Sequence, residues 1–175
     1  MNVVCKNIKI RILLENPFDL TKQTNGFSVV NKRNLLIVRS SHSKCVFIVY
    51  KHTLSTIHIT GISTSNAVNE ILEFLNHFHL TEIKKLIIDN SLFSGKTNNN
   101  IDIVEMKKRL DEKYNFYSIS FSQDVFPAIF IRPVLNRKRD YATILLFRNS
   151  KFIIIGSRSV QIMNNTLEVV KDLTC

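Results

Sequence analysis

Asp124-Val-Phe-Pro-Ala-Ile-Phe-Ile-Arg132, followed after a polar connection by Ile144-Leu-Leu-Phe-Arg-Asn-Ser-Lys-Phe-Ile-Ile-Ile-Gly156, is the stretch on which the fold turns. It holds three short apolar runs, 126–132, 143–147 and 152–155, rich in Ile and Phe and separated by turn-forming residues, so each reads as a strand. Successive strand residues point to opposite faces. Thr143, Leu145 and Phe147 therefore share one face, and Ile144 and Leu146 the other. Both faces are apolar, yet helices can cover only one of them; the second is expected to meet a ligand or partner. Gly156 ends the last run, and a helix with apolar positions Val160, Met163, Leu167 and Val170 follows.

Working outward, Leu86–Asn90 reads as a strand and Ile101–Tyr114 as an amphipathic helix, acidic early and basic late as the helix dipole favours. The N-terminal half repeats this order. Ile8–Ile12 alternates strictly, with Lys9 and Arg11 on one face. Leu35–Arg39, Cys45–Tyr50 and Ile57–Thr60 are strands, the last stopping at Gly61, with His58 and Thr60 on its polar face. Ser63 can cap a helix whose stripe is Ala67, Ile71, Leu75 and Phe78. Asn7 and Asn90, Arg39 and Arg132, Tyr50 and Phe147, and Gly61 and Gly156 recur at similar offsets. An ordered set of elements occurring twice points to duplication, with residues 1–82 and 83–175 as the two αβ repeats of an α+β fold.

The 175 residues carry 24 Lys and Arg against 14 acids, a net charge of +10, which concentrates polyanions near the surface and puts nucleic acid first among partners. Three scattered cysteines, Cys5, Cys45 and Cys175, form no metal-binding or disulfide framework. The N-terminus meets charge too early for a secretory signal and no run is long enough to span a bilayer, so a soluble intracellular protein is expected. Ser94-Gly95-Lys96-Thr97 lacks the upstream glycine of a phosphate-binding loop, Asn90 standing there, and is expected to be an ordinary loop. His77-Phe-His79 has no metal-ligand spacing, and no nucleophile–base or paired-carboxylate arrangement stands out. No enzyme, metal, cofactor or small-molecule substrate is expected.

The 124–156 block resembles the second repeat of the TATA-binding protein family, where a Phe-Pro strand ending in Arg precedes an apolar strand ending in Phe, a turn with Lys, a strand and Gly. The first half is similar through Asn7, Arg39, Tyr50 and Ile59-Thr-Gly61. The resemblance implies a saddle: two pseudo-symmetric repeats forming one curved antiparallel sheet of ten strands, with four helices on the convex face. It implies a transcription initiation factor that binds A·T-rich promoter DNA in the minor groove. In the TATA-binding protein, apolar wedges kink the duplex, and that mechanism is taken over from the family. Asn7 and Asn90 match the asparagines that reach the central base pairs, where an amide NH2 can donate to A N3 and T O2. Thr60 matches one flanking threonine, its counterpart being Ile155. Phe126 and Phe147 match the second repeat's wedge pair, with Pro127, Leu145 and Ile153 lining the groove. In the first repeat Tyr50 takes one wedge position, beside Ile48, while the other falls near Arg33. Lys9 and His58 stand where the family has small apolar residues, and Arg39, Arg132 and Lys151 match phosphate contacts. Asp124 and Val125 match the stirrup that engages a transcription factor IIB-like factor, and RNA polymerase would follow. The Asn-, Ile- and Lys-rich usage fits a large DNA virus or an AT-rich protist, so the nucleus or a cytoplasmic viral factory is the expected location. The alternative is a scaffold that keeps the saddle and has lost sequence-selective DNA binding, for which Lys9, His58 and Arg33 speak.

Overall fold

In the computed structural model of the protein, which describes residues 1–19, 26–40, 44–63, 66–98, 102–121 and 127–174, alternating burial is the organising pattern. The strands among the described residues are ten: β1 (Asn2–Leu14), β2 (Phe27–Asn31), β3 (Leu35–Ser40), β4 (Val46–Tyr50), β5 (Thr56–Ile62), β6 (Ile83–Lys96), β7 (Tyr117–Ser120), β8 (Ala128–Pro133), β9 (Thr143–Phe147) and β10 (Lys151–Ser157). The α-helices among the described residues are α1 (Asn66–His77), α2 (Ile103–Lys113) and α3 (Val160–Leu173). The hydrogen-bonding order is β2-β3-β4-β5-β1-β6-β10-β9-β8-β7. The chain divides into two compact units, Asn7–Asp89, and Asn90–Cys175 joined by Met1–Lys6.

In the unit Asn7–Asp89, Ile10, Ile12, Leu36, Val38, Phe47, Val49, Ile57 and Ile59 are buried, each the inward residue of an alternating strand. Against them α1 sets Ile71, Phe74 and Leu75, and the turn after it adds Phe78. Phe74, which the expected stripe omitted, stacks on Phe47 with ring centroids 3.9 Å apart and planes at 3°. Burying two such rings contributes about 4–6 kcal/mol before the cost of ordering them. The expected Ser63 cap and the Ala67 side chain adjoin or lie outside the described residues.

In the other unit, Ile131, Ile144, Leu146, Phe152 and Ile154 pack on Met106 and Leu110 of α2 and on α3. Asp102 caps α2, accepting from the Val104 and Glu105 N–H groups at 2.8 and 3.2 Å. The buried stripe of α3 is Ile162, Thr166, Val169, Val170 and Leu173; of the expected Val160, Met163, Leu167 and Val170 it keeps Val170, while Met163 and Leu167 are half-buried and Val160 is exposed at the first turn beside its cap Ser159. A threonine occupies the stripe because its hydroxyl donates to the Ile162 carbonyl and accepts from Ala142 N–H, at 2.7 and 2.8 Å.

Two further expectations change. Ser94-Gly95-Lys96 is the end of strand β6, not a loop. A Cβ at Gly95 would sit 2.4 Å from the Phe152 ring, so this glycine makes room for a core aromatic. The strands also do not stop at Gly61 and Gly156 but pass through them to Ile62 and Ser157. Of four helices implied by the family resemblance, three lie among the described residues. No helix of the described chain is long and apolar enough to cross a membrane.

Candidate nucleic-acid interface

Gly61 and Gly156 lie at bulges, and the bulges build the most distinctive feature of each unit. Between β1 and β5 the register steps from Ile8↔Ile62 to Ile10↔Ile59, so Thr60 and Gly61 together oppose Lys9. Between β6 and β10 it steps from Ser91↔Ser157 to Leu92↔Ile155, so Gly156 is the extra residue. Both glycines have positive φ, 87° and 94°, a conformation that side chains disfavour. A bulge takes an N–H out of the ladder. In each unit an asparagine side chain satisfies it: Gly61 N–H donates to Asn7 Oδ1 at 3.0 Å, and Gly156 N–H to Asn90 Oδ1 at 2.9 Å.

That bond settles which way each amide is turned. A backbone N–H can only donate, so the oxygen must face it, and the NH2 group must point away. Each unit thus holds one fixed amide donor. Asn7 and Asn90 are both half-buried.

Around Asn7, the strand face opposite α1 presents Lys9, Arg11 and Leu13 on β1, His58 and Thr60 on β5, Val46, Ile48 and Tyr50 on β4, and Leu35, Ile37 and Arg39 on β3. Pairing aligns Arg11, His58, Ile48 and Ile37 in one row across four strands. Tyr50 stands edge-on to His58, ring centroids 5.3 Å apart. Arg39 is exposed, paired with Val46. Arg33 sits exposed at the tip between β2 and β3, beside the Lys32 N–H to Leu35 carbonyl bond of 2.9 Å. The sequence-derived residues Lys9, Arg39, Ile48, Tyr50, His58 and Thr60 therefore do share one face. Arg11 bonds Asp89 on β6 through both Nε and Nη2, at 3.1 and 2.6 Å to the same oxygen. This pair was not anticipated. Burial, then the Lys9 charge, holds the His58 pKa below its ordinary 6.5, with Asp89 opposing and Arg11 reinforcing the shift.

Around Asn90, the corresponding face presents Ile153 and Ile155 on β10, Leu145 and Phe147 on β9, and Phe130 and Arg132 on β8. Ile153 pairs with Leu145 and with Ser94, and Phe147 with Ala128. Leu145 belongs to this face but is only 4% exposed, so it supports its neighbours more than it lines a groove. Phe130, missed in the sequence, pairs with Leu145 and lies under the Arg132 guanidinium, 4.7 Å from its ring centroid. Its parity with Arg132 was the available signal. Arg132 also donates to Ser120 Oγ at 3.1 Å. Lys151 lies directly opposite Lys96, both exposed. Pro127 is exposed at the start of β8. Phe126, Asp124 and Val125 fall outside the described residues.

No protein-family model matches the chain, and no curated protein matches it. Among solved structures it is similar to Methanococcus jannaschii TBP, with a TM-score of 0.68 and 14% sequence identity, covering 98% of this chain and 99% of that one. The chain has a TBP-like fold. At this identity the likeness speaks for the fold alone. Within that fold the two Asn–Gly bulge locks occur once in each unit, and the exposed face around each lock is the candidate interface.

Proposed function

We propose that the protein is a TBP-like transcription initiation factor that binds A·T-rich promoter DNA in the minor groove and bends it. The observation that carries this reading is the pair of locked asparagines, Asn7 and Asn90, each offering an NH2 donor on an exposed strand face, largely apolar around Asn90 and mixed around Asn7. In the minor groove A·T pairs offer only acceptors, A N3 and T O2. Fixed donors suit that floor because they satisfy its acceptors, and around Asn90 the apolar neighbours bring few acceptors of their own. Rings on the exposed faces, Phe147 in one repeat and Tyr50 in the other, are suited to wedge open flexible base steps, and Phe126 is proposed as the partner of Phe147 from the family resemblance. Arg39, Arg132, Lys96 and Lys151 are suited to flanking phosphates. The two repeats are 1–82 and 83–175. Asp124 and Val125 are proposed to engage a transcription factor IIB-like factor, and through it RNA polymerase, in the nucleus or a viral factory.

A second reading draws on the Lys9, Arg11, His58 and Asp89 cluster: a TBP-fold scaffold for protein contacts, without sequence-selective DNA binding. Gel shifts with a TATA duplex, a G·C-rich duplex and single-stranded DNA across several salt concentrations separate the two. Tighter binding to the TATA duplex at near-physiological salt is expected. Equal affinity for both duplexes sinks the promoter reading and leaves the scaffold.

A further inference from the structure

The two candidate faces share their donor and differ in their acceptors. Around Asn90 the face is made of Leu92, Ser94, Ile153, Ile155, Phe130 and Phe147, where hydroxyls are the only side-chain acceptors. Around Asn7 it carries two strong ones. Asp89 receives both Arg11 bonds on Oδ1, and its Oδ2 has no hydrogen-bond partner among the described residues. The His58 ring nitrogens have none either, the ring's recorded contact being the edge-on Tyr50. His58 and Arg11 are directly paired, and Arg11 reaches Asp89, so both acceptors lie in one row of one face.

We infer that this row is a guanine-reading element: His58 and Asp89 together accept the one N2–H of a guanine that pairing with cytosine leaves free in the minor groove. The inference rests on the minor-groove function proposed above and specifies its sequence preference. The chemistry is that of a single group. An A·T pair shows the minor groove nothing but acceptors, whereas a G·C pair adds one donor, the guanine N2–H2. An acceptor pressed against an A·T floor is repelled and left unpaired, at a cost. Against a guanine amino group it is satisfied. Arg11 makes an acid tolerable there, since its guanidinium offsets the Asp89 charge that would otherwise face a polyanion. Burial and the charges of Lys9 and Arg11 keep His58 neutral near pH 7, which leaves one ring nitrogen able to accept. The preferred site is therefore A·T-rich but not uniform: it carries a G·C pair at the position under the His58 row, and A·T pairs under the apolar face around Asn90.

Base analogues test this without changing the rest of the duplex. In an A·T-rich duplex, adenine is replaced one position at a time by 2,6-diaminopurine, which pairs with thymine but adds the N2 amino group. In a duplex with guanine at the responsive position, inosine then removes that amino group. We expect diaminopurine to strengthen binding on the order of fivefold at one or two positions confined to one half of the site, and to weaken it elsewhere. Inosine at the responsive position should reverse the gain. His58→Phe and Asp89→Leu should each abolish the gain, and circular dichroism with thermal melts of each variant shows that it folds. If diaminopurine weakens binding at every position while the TATA preference persists, the guanine-reading row is wrong and the promoter function stands. If no duplex is bound above the single strand, both fall together.

Discussion

Replacing Asn7 and Asn90 by aspartate separates their two duties. Aspartate keeps an oxygen where Gly61 and Gly156 donate, at 3.0 and 2.9 Å, so the bulge N–H stays satisfied, with a charge-assisted bond in place of a neutral one. What is lost is the NH2 donor, and an anionic oxygen takes its place. On DNA that oxygen would face A N3 or T O2, acceptor against acceptor. Losing the hydrogen bond costs about 1 kcal/mol, and leaving a desolvated base acceptor unpaired adds about 1–3 kcal/mol. Each site should therefore lose about 2 kcal/mol or more, on the order of thirtyfold in affinity. Folding should hardly change. Alanine reverses the pattern on the protein side, since it orphans the glycine N–H; about 1 kcal/mol of stability should go, lowering Tm by about 2–4 °C for a chain of this size. The assay is fluorescence anisotropy on a TATA duplex with parallel thermal melts of Asn7→Asp, Asn7→Ala and the Asn90 equivalents. Aspartate variants that bind like the wild type would refute the donor role, whatever the melts show.

The bulge glycines should differ sharply. Gly61→Ala meets both a positive φ and the Lys44 carbonyl oxygen 2.2 Å from the new Cβ and should cost about 3 kcal/mol or more, while Gly156→Ala meets nothing within 4 Å and should cost about 1–2 kcal/mol; similar denaturant midpoints for the two would count against this. Lys96 and Lys151, directly opposed, should each hold a neighbouring phosphate, so changing either to alanine should lower the salt slope of binding by about 1, a slope read from titrations at several salt concentrations. Phe126→Ala with Phe147→Ala should abolish DNA bending, measured by fluorescence transfer between duplex ends, and cost about 1–3 kcal/mol per ring if stacking energies transfer; Tyr50→Ala should cost less, and the opposite order would invert the polarity assigned to the face. Because the folded-state pKa of His58 lies below 6.5, its contribution to stability is present above that pH and is lost as pH falls through the window beneath it. His58→Phe should flatten the wild-type stability profile below pH 6.5, and an unchanged profile would contradict the shift.

Much of the fold was legible because burial forces periodicity. Ile10, Ile12, Ile57, Ile59, Ile144 and Ile154 are buried where strict alternation puts them, so the faces read from the sequence on β1, β5 and β9 hold. The edge strands β2 and β7 were not seen, and their composition explains it: Ser28 and Asn31, Ser118 and Ser120 are exposed, leaving too few apolar residues for a pattern. The α3 stripe was misplaced because Thr166 counts as polar until its two hydrogen bonds are known. Asn7, Asn90, Gly61 and Gly156 were all visible as repeated landmarks. That they bond to each other was not, because the bond depends on a bulge, and a bulge exists only once two strands are paired. Asp89 was passed over for a similar reason. A lone acid in a strand carries no periodic signal, and its partner Arg11 is 78 residues away.

What the two units share and where they differ follow different physical constraints. The Asn–Gly lock is a backbone device: a positive-φ residue, an N–H expelled from the ladder and a side chain that receives it must all be present together, since losing one leaves a polar group unsatisfied. Such a device tends to persist in both halves of a duplicated chain. The exposed face has no such internal constraint. Lys9, Arg11, His58 and Asp89 on one unit, against Leu92, Ser94, Ile153 and Phe147 on the other, all fit the same alternating backbone, because outward residues of a strand are free of the core's packing demands. A scaffold that had dropped DNA would have no use for two outward amide donors, and its asparagines would be replaceable by aspartate without loss. The aspartate variants therefore probe the proposed function at the one feature both repeats retain.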